Sequence, residues 1–184
     1  MMKSGIQKST FRLVFCAVIA ALEVVLMLIT GIVPVGTYAL PCFAGGLTLM
    51  IVIEYGWKWA LGVFGVAALL SALFAADKEA VLYFIAIFGY YPILKNPIER
   101  FIKNKIVQYA VKLAVFNAAA VSSFFIATTL LSVKAEEFNI FGINMPLVFL
   151  LFGNMFFLLY DFALTAFAGL YVRNLRSKLF GRFN

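Results

Sequence analysis

Long apolar runs broken by short polar stretches dominate the chain, and the runs are matched to the thickness of a bilayer. The first, a span over about 12–32 within FRLVFCAVIAALEVVLMLITGIVP, at ~1.5 Å per helical residue reaches across a ~30 Å hydrocarbon core with some tilt. Five more follow, over about 38–55, 59–76, 80–94, 106–132 and 146–172. The breaks carry ordinary punctuation. A proline-bracketed connection, Pro34–Pro41, precedes the second run, and Gly56-Trp57-Lys58-Trp59 ends it with indoles suited to a membrane interface. Asp77-Lys78-Glu79 closes the third, and Gly89-Tyr90-Tyr91-Pro92 the fourth. A basic segment over 95–105 then reads as a short amphipathic helix on the surface. Lys134 to Asn144 is a polar connector, and Pro146 suits the first turn of the sixth span.

The pattern predicts an all-α, polytopic membrane protein: one domain over 1–184, six transmembrane helices in a compact bundle. Composition agrees, with 65% hydrophobic residues, 12% charged residues and no histidine. The N-terminus has the cations of a signal peptide, but its apolar run is long and no small-x-small cleavage pattern follows, so it reads as a retained first helix. The net charge of +7 does not call for nucleic acid, because the cations cluster at the ends of apolar runs. The leader, the 55–58 turn, the 95–105 segment and the tail hold twelve Lys and Arg, whereas the opposite side holds Lys78 and Lys134. By the positive-inside rule both termini are expected in the cytoplasm and the chain in the cell membrane. Cys16 and Cys42 fall in opposite halves of the bilayer, which predicts two free thiols. No cofactor or metal is expected, and no Walker, nucleophile-elbow or HExxH motif points to an enzyme.

The chemistry lies in the few polar groups inside the spans. Glu23, Lys112 and Asp161 are ionisable groups at membrane depth, Glu23 and Asp161 roughly 16 Å and Lys112 roughly 10 Å from the cytoplasmic ends of their helices. A charge there costs at least ~2.5–3.5 kcal/mol, so each is expected to face the bundle with a partner. Two readings stay open: a structural ion pair of Lys112 with Asp161 or Glu23, or a carboxylate that polarises a substrate pocket. Asn154, Asp161 and Thr165 make one polar line on the sixth span. Asn117 and Thr128 make another on the fifth, with Ser122 and Ser123 beside it. These amides and hydroxyls suit interhelical contact or a ligand. Toward the other end Thr37, Tyr38, Asp77, Glu79 and Tyr83 are candidates for the rim of an outward-facing cavity, with the Pro34–Pro41 connection as its gate or an ordinary hairpin.

Small residues mark helix contacts. Gly65, Ala68, Ala72 and Ala76 form a close-packing stripe on the third span. Ala17 and Ala21, four apart with Ala20 beside them, form a flat ridge on the first, and Glu23 projects roughly 120° from it. One face of that helix can dock a partner while another points into the bundle.

These residues resemble a family. The Ala17-xxx-Ala21 spacing within Val18-Ile19-Ala20-Ala21-Leu22, the connection Pro34-Val-Gly-Thr-Tyr-Ala-Leu-Pro41 and a second span containing Gly45-Gly46 are similar to the S component, the substrate-binding membrane subunit, of an energy-coupling factor (ECF) transporter. The resemblance implies high-affinity capture of a vitamin, a vitamin precursor or a related micronutrient in an outward-opening pocket, with Glu23, Thr37, Tyr38, Tyr83, Asn117, Asn154 and Asp161 as candidate contacts. It implies that Ala17, Ala20 and Ala21 meet the coupling helices of a transmembrane T component, and that two partner ATPase subunits hydrolyse ATP. Two intramembrane carboxylates against one lysine favour a neutral or cationic, partly aromatic solute. The alternatives are a non-transporting membrane scaffold or assembly protein and a small secondary transporter, although no inverted repeat relates the two halves.

Overall fold

A computed structural model of the chain describes residues 2–33, 36–130, 139–140, 143–176 and 178. The helices are α1 (Met2–Ile29), α2 (Gly36–Tyr55), α3 (Trp57–Phe74), α4 (Lys78–Tyr83), α5 (Tyr91–Phe101), α6 (Lys105–Leu130) and α7 (Met145–Leu170). Phe84–Phe88 and Tyr171–Leu175 are π-helical turns, and Asn139–Ile140 pairs antiparallel with Ile143–Asn144 before α7. Six of the resulting rods are long and apolar enough to cross a membrane: 9–29, 36–55, 57–74, 78–101, 105–126 and 150–175. Apart from that two-residue strand pair, the described residues are helical and make a six-span membrane protein.

Local chemistry sets the breaks. Gly56 alone separates α2 from α3, and its φ of 83° is a conformation that a side chain would strain. Asp77 caps α4, its Oδ1 accepting from the Ala80 N–H at 3.0 Å. Pro146 is the second residue of α7, where its missing N–H costs no helical bond.

α2 is the most buried helix and packs against α1, α3, α4, α5 and α7. One apolar cluster joins Cys16 and Ile19 to Ile51, Tyr91, Phe116, Phe157 and Tyr171. A second, built on Met27, Ala44, Ala67, Ala80 and Phe84, holds the opposite end. The outer surface is apolar as well: Leu13, Val18, Leu69, Phe156 and Phe162 are each at least half exposed, the shell expected against lipid and not against water. Cys16 and Cys42 are free.

Four expectations are corrected. Residues 95–105 do not form a separate surface helix: the fourth rod continues to Phe101 and buries Lys95 at 5% exposure. Pro92 lies in the first turn of α5, where the rod has been broken by the π turn and restarted, so the proline does not end the span. The connection after α1 is shorter than Pro34–Pro41, since α2 starts at Gly36 and carries Pro41 inside it; Pro34 and Val35 lie outside the described residues. On α3 the face turned inward is Ala60, Val63, Ala67 and Ser71; of the expected stripe Ala68 is half-buried against the second cluster, whereas Gly65, Ala72 and, just beyond the helix, Ala76 are exposed. Both faces carry small residues at helical spacing, so periodicity alone does not distinguish them. Most of the Lys134–Asn144 connector lies outside the described residues.

Candidate functional site

Four polar centres among the described residues hold the candidate site residues. The largest sits on the half of the bundle that carries the termini, ~10 Å in along α5 and α6. Tyr91, Lys95 and Glu99 occupy successive turns of one α5 face and meet Lys112 of α6 and Asp161 of α7. Lys112 Nζ donates to Asp161 Oδ2 at 3.0 Å, to Oδ1 at 3.1 Å and to Glu99 Oε1 at 2.6 Å. Lys95 Nζ donates to Glu99 Oε1 at 2.7 Å and to Asp161 Oδ1 through a short contact, and reaches the Asp161 carbonyl at 3.3 Å. The Tyr91 hydroxyl donates to Asp161 Oδ1 at 2.5 Å.

Two ammonium groups therefore face two carboxylates, and the cluster is neutral. Lys112 and Asp161 are sealed, while the Glu99 side chain is 39% exposed and opens toward the surface. Such a closed network neutralises its own charges inside an apolar bundle and fixes α5, α6 and α7 to one another.

Asn117 and Asn154 form the second centre. Each amide donates to the other, at 2.9 and 3.0 Å, and each also donates to the carbonyl four residues back, Leu113 or Leu150. Both amide hydrogens on each side are thereby placed, the arrangement of interhelical glue between α6 and α7. Ser122, Ser123 and Thr165 bond back to carbonyls of their own helices. The side chain of Thr128 lies outside the described residues.

Glu23 forms the third. It is fully buried, and its Oε1 accepts from Thr48 Oγ1 of α2 at 2.8 Å. Its Oε2 is buried without a partner, and no lysine or arginine pairs with it among the described residues. A charge on this group is uncompensated, so the position has unused capacity for a donor. Nearby α2 runs tight against the first π turn. A Cβ on Gly45 would collide with the Phe88 carbonyl oxygen and the Tyr160 hydroxyl, which donates to that carbonyl at 3.1 Å. A carbonyl freed by a π turn is a usual companion of a functional position.

The fourth centre joins the α1–α2 and α3–α4 ends on the side away from the termini. Thr37 Oγ1 donates to Asp77 Oδ2 at 2.8 Å, and the Tyr38 and Tyr83 rings lie 5.1 Å apart. The fold thus brings together Thr37 with Asp77 and Tyr38 with Tyr83, four of the five residues that the sequence reading groups at this end.

The alanine ridge divides. Ala17 and Ala21 are exposed beside Leu13, Val14 and Val18, whereas Ala20 is buried in the chain's own core, so the outward ridge is narrower than expected. One residue's step of ~100° separates the two faces. Of the two ion-pair partners proposed for Lys112, Asp161 takes it and Glu23 does not. Lys95, Glu99, Tyr91 and Thr48 were not among the predicted site residues. The spacing of Tyr91, Lys95 and Glu99 at i, i+4 and i+8 was a usable signal for three of them; Thr48 gave none. Lys95 also corrects the intramembrane inventory, because two lysines and not one balance Asp161 and Glu99.

No protein-family model, curated protein or solved structure matches this chain.

Proposed function

We propose that the chain is the high-affinity substrate-binding subunit of an ATP-driven, ECF-type importer of a vitamin, a vitamin precursor or a related micronutrient, with both termini in the cytoplasm of the cell whose membrane it spans. The observation that carries this reading is the two-faced first helix: Ala17 and Ala21 lie open on the lipid-facing side, while Glu23, less than a turn beyond Ala21, is fully buried with one oxygen unpartnered. A flat small-residue face suits close approach by a partner's helix. An unsatisfied carboxylate oxygen suits an N–H or cationic group on a solute. With Asp161 and Glu99 neutralised by two lysines, Glu23 is the carboxylate left for such a group. The Thr37–Asp77 and Tyr38–Tyr83 contacts suit a rim above it. On this reading ATP is hydrolysed by two partner ATPases and coupled through a transmembrane T component.

A specific observation favours a second reading, a membrane scaffold that carries no solute. Asn117 and Asn154 satisfy each other, and Lys95, Glu99, Lys112 and Asp161 close on themselves, so these polar groups have structural work without a ligand. Leucine at Ala17 and Ala21 separates the two. The importer reading expects ATP-dependent uptake by cells carrying the Ala17→Leu/Ala21→Leu variant to be lost while the purified variant retains its solute. Loss of solute and uptake together, or normal uptake, would count against it.

A further inference from the structure

The turn between α2 and α3 gathers two cations and two indoles at one corner of the bundle. Because Gly56 alone joins the helices, Trp57, Lys58 and Trp59 start α3 directly where Tyr55 ends α2. Arg12 of α1 reaches the same corner, its guanidinium carbon 4.3 Å from the centre of the Trp59 ring. Its Nε is buried without a hydrogen-bond partner. Lys58 is exposed, with Nζ 5.6 Å from the ring centre of Trp57, itself 55% exposed.

These cations differ from the others inside the bundle. Lys95 and Lys112 are neutralised by carboxylates, whereas neither Arg12 nor Lys58 pairs with an acid among the described residues. Glu54, two residues before Gly56, is held by Arg176 at 3.1 Å. The first turn of the 18-residue α3 has no side-chain cap, which adds the positive end of its dipole to the corner. Two uncompensated charges and an orphaned donor therefore lie where tryptophans mark the headgroup level. Just deeper, Leu13 of α1 and Leu61 of α3 are 54% and 43% exposed, an apolar track leading from the cations into the bilayer. Free phosphate has no use for that track, but a lipid with an acidic headgroup does.

We propose that Arg12, Lys58, Trp57 and Trp59 form a binding site for the phosphodiester headgroup of an anionic phospholipid, its acyl chains lying along the exposed faces of α1 and α3. The headgroup oxygens pair with the Arg12 guanidinium and the Lys58 ammonium, and the indoles flank the headgroup.

Native mass spectrometry of the full-length chain in detergent, titrated with phosphatidylglycerol or phosphatidylcholine of identical chains, tests the site. Selective retention of phosphatidylglycerol is expected, about fivefold weaker in Lys58→Gln and about thirtyfold weaker in Arg12→Gln/Lys58→Gln. The control Arg100→Gln/Lys105→Gln, which removes two exposed cations elsewhere on the termini side, is expected to leave retention unchanged. Equal retention of the two lipids overturns the site, as does an equal loss in control and corner variants, which would mean diffuse charge attraction. Competition by inorganic phosphate at equal concentration would mean a free-anion site and also overturns it. Lys58 is exposed and its substitution leaves the core intact, so the single variant decides the matter if the double variant does not fold.

Discussion

Asp161→Asn tests the buried charge network most sharply, because it removes one charge and almost no volume. In the native chain Asp161 accepts from the Tyr91 hydroxyl at 2.5 Å, from Lys112 at 3.0 and 3.1 Å, and from Lys95. The substitution leaves two ammonium groups facing Glu99 alone, and the neutral cluster becomes +1 at a place where the Lys112 side chain is 2% exposed. Breaking a buried pair by removing one partner costs about 3–5 kcal/mol. Glu99 still bridges both lysines and its partial exposure admits water, which puts the expectation near the lower end, about 3 kcal/mol. Adding Lys112→Met removes the orphaned charge, so the double variant should regain about 1.5 kcal/mol or more over Asp161→Asn instead of losing further stability. Equilibrium unfolding in mixed micelles, or steric trapping in bicelles, measures all three variants. A cost for Asp161→Asn below about 0.5 kcal/mol, or costs that simply add, would refute the network as a coupled structural unit.

Other outcomes follow from the packing. Ala20→Leu overfills the interior and should destabilise by about 1–3 kcal/mol, while Ala17→Leu, on the exposed face, should stay within about 0.5 kcal/mol in the same unfolding assay. Asn117→Ala and Asn154→Ala should each cost about 1 kcal/mol, and the double variant little more than either, since they break one reciprocal contact. Gly45→Ala forces a methyl group against the Phe88 carbonyl and the Tyr160 hydroxyl and should lower the thermal midpoint in a detergent melt, whereas Gly46→Ala, with nothing within 4 Å of the added carbon, should not.

The membrane architecture is legible because lipid leaves so few options: six apolar runs of bilayer length with polar breaks specify six spanning rods, and the described residues form six. The Lys112–Asp161 pair was legible for a related reason, since lone charges at depth demand partners. Lys95 and Glu99 escape a reading of the sequence because Pro92 suggests a helix end and the cations beyond it suggest a surface. A π turn followed by a fresh helix start carries the rod past the proline, and only tertiary contact turns Lys95 inward. The division of the alanine ridge was hidden by symmetry of composition: Ala20 and Ala21 are the same residue type one step apart, and the packing of α2 and α3 against α1 decides which one is covered. Thr48 was illegible because a single hydroxyl on a buried apolar helix has no periodic signature, and its meaning comes from Glu23 opposite.

The claim on which the account rests is that α1 offers its outer face to a partner and its buried carboxylate to a solute. Mass spectrometry of small molecules carried through purification of the full-length chain tests it directly. A solute bearing an N–H or cationic group is predicted in the native protein and in Ala17→Leu, and it should be lost from Glu23→Gln. Purified protein with no retained small molecule when expressed in its own host, or a solute held equally by Glu23→Gln, would contradict it.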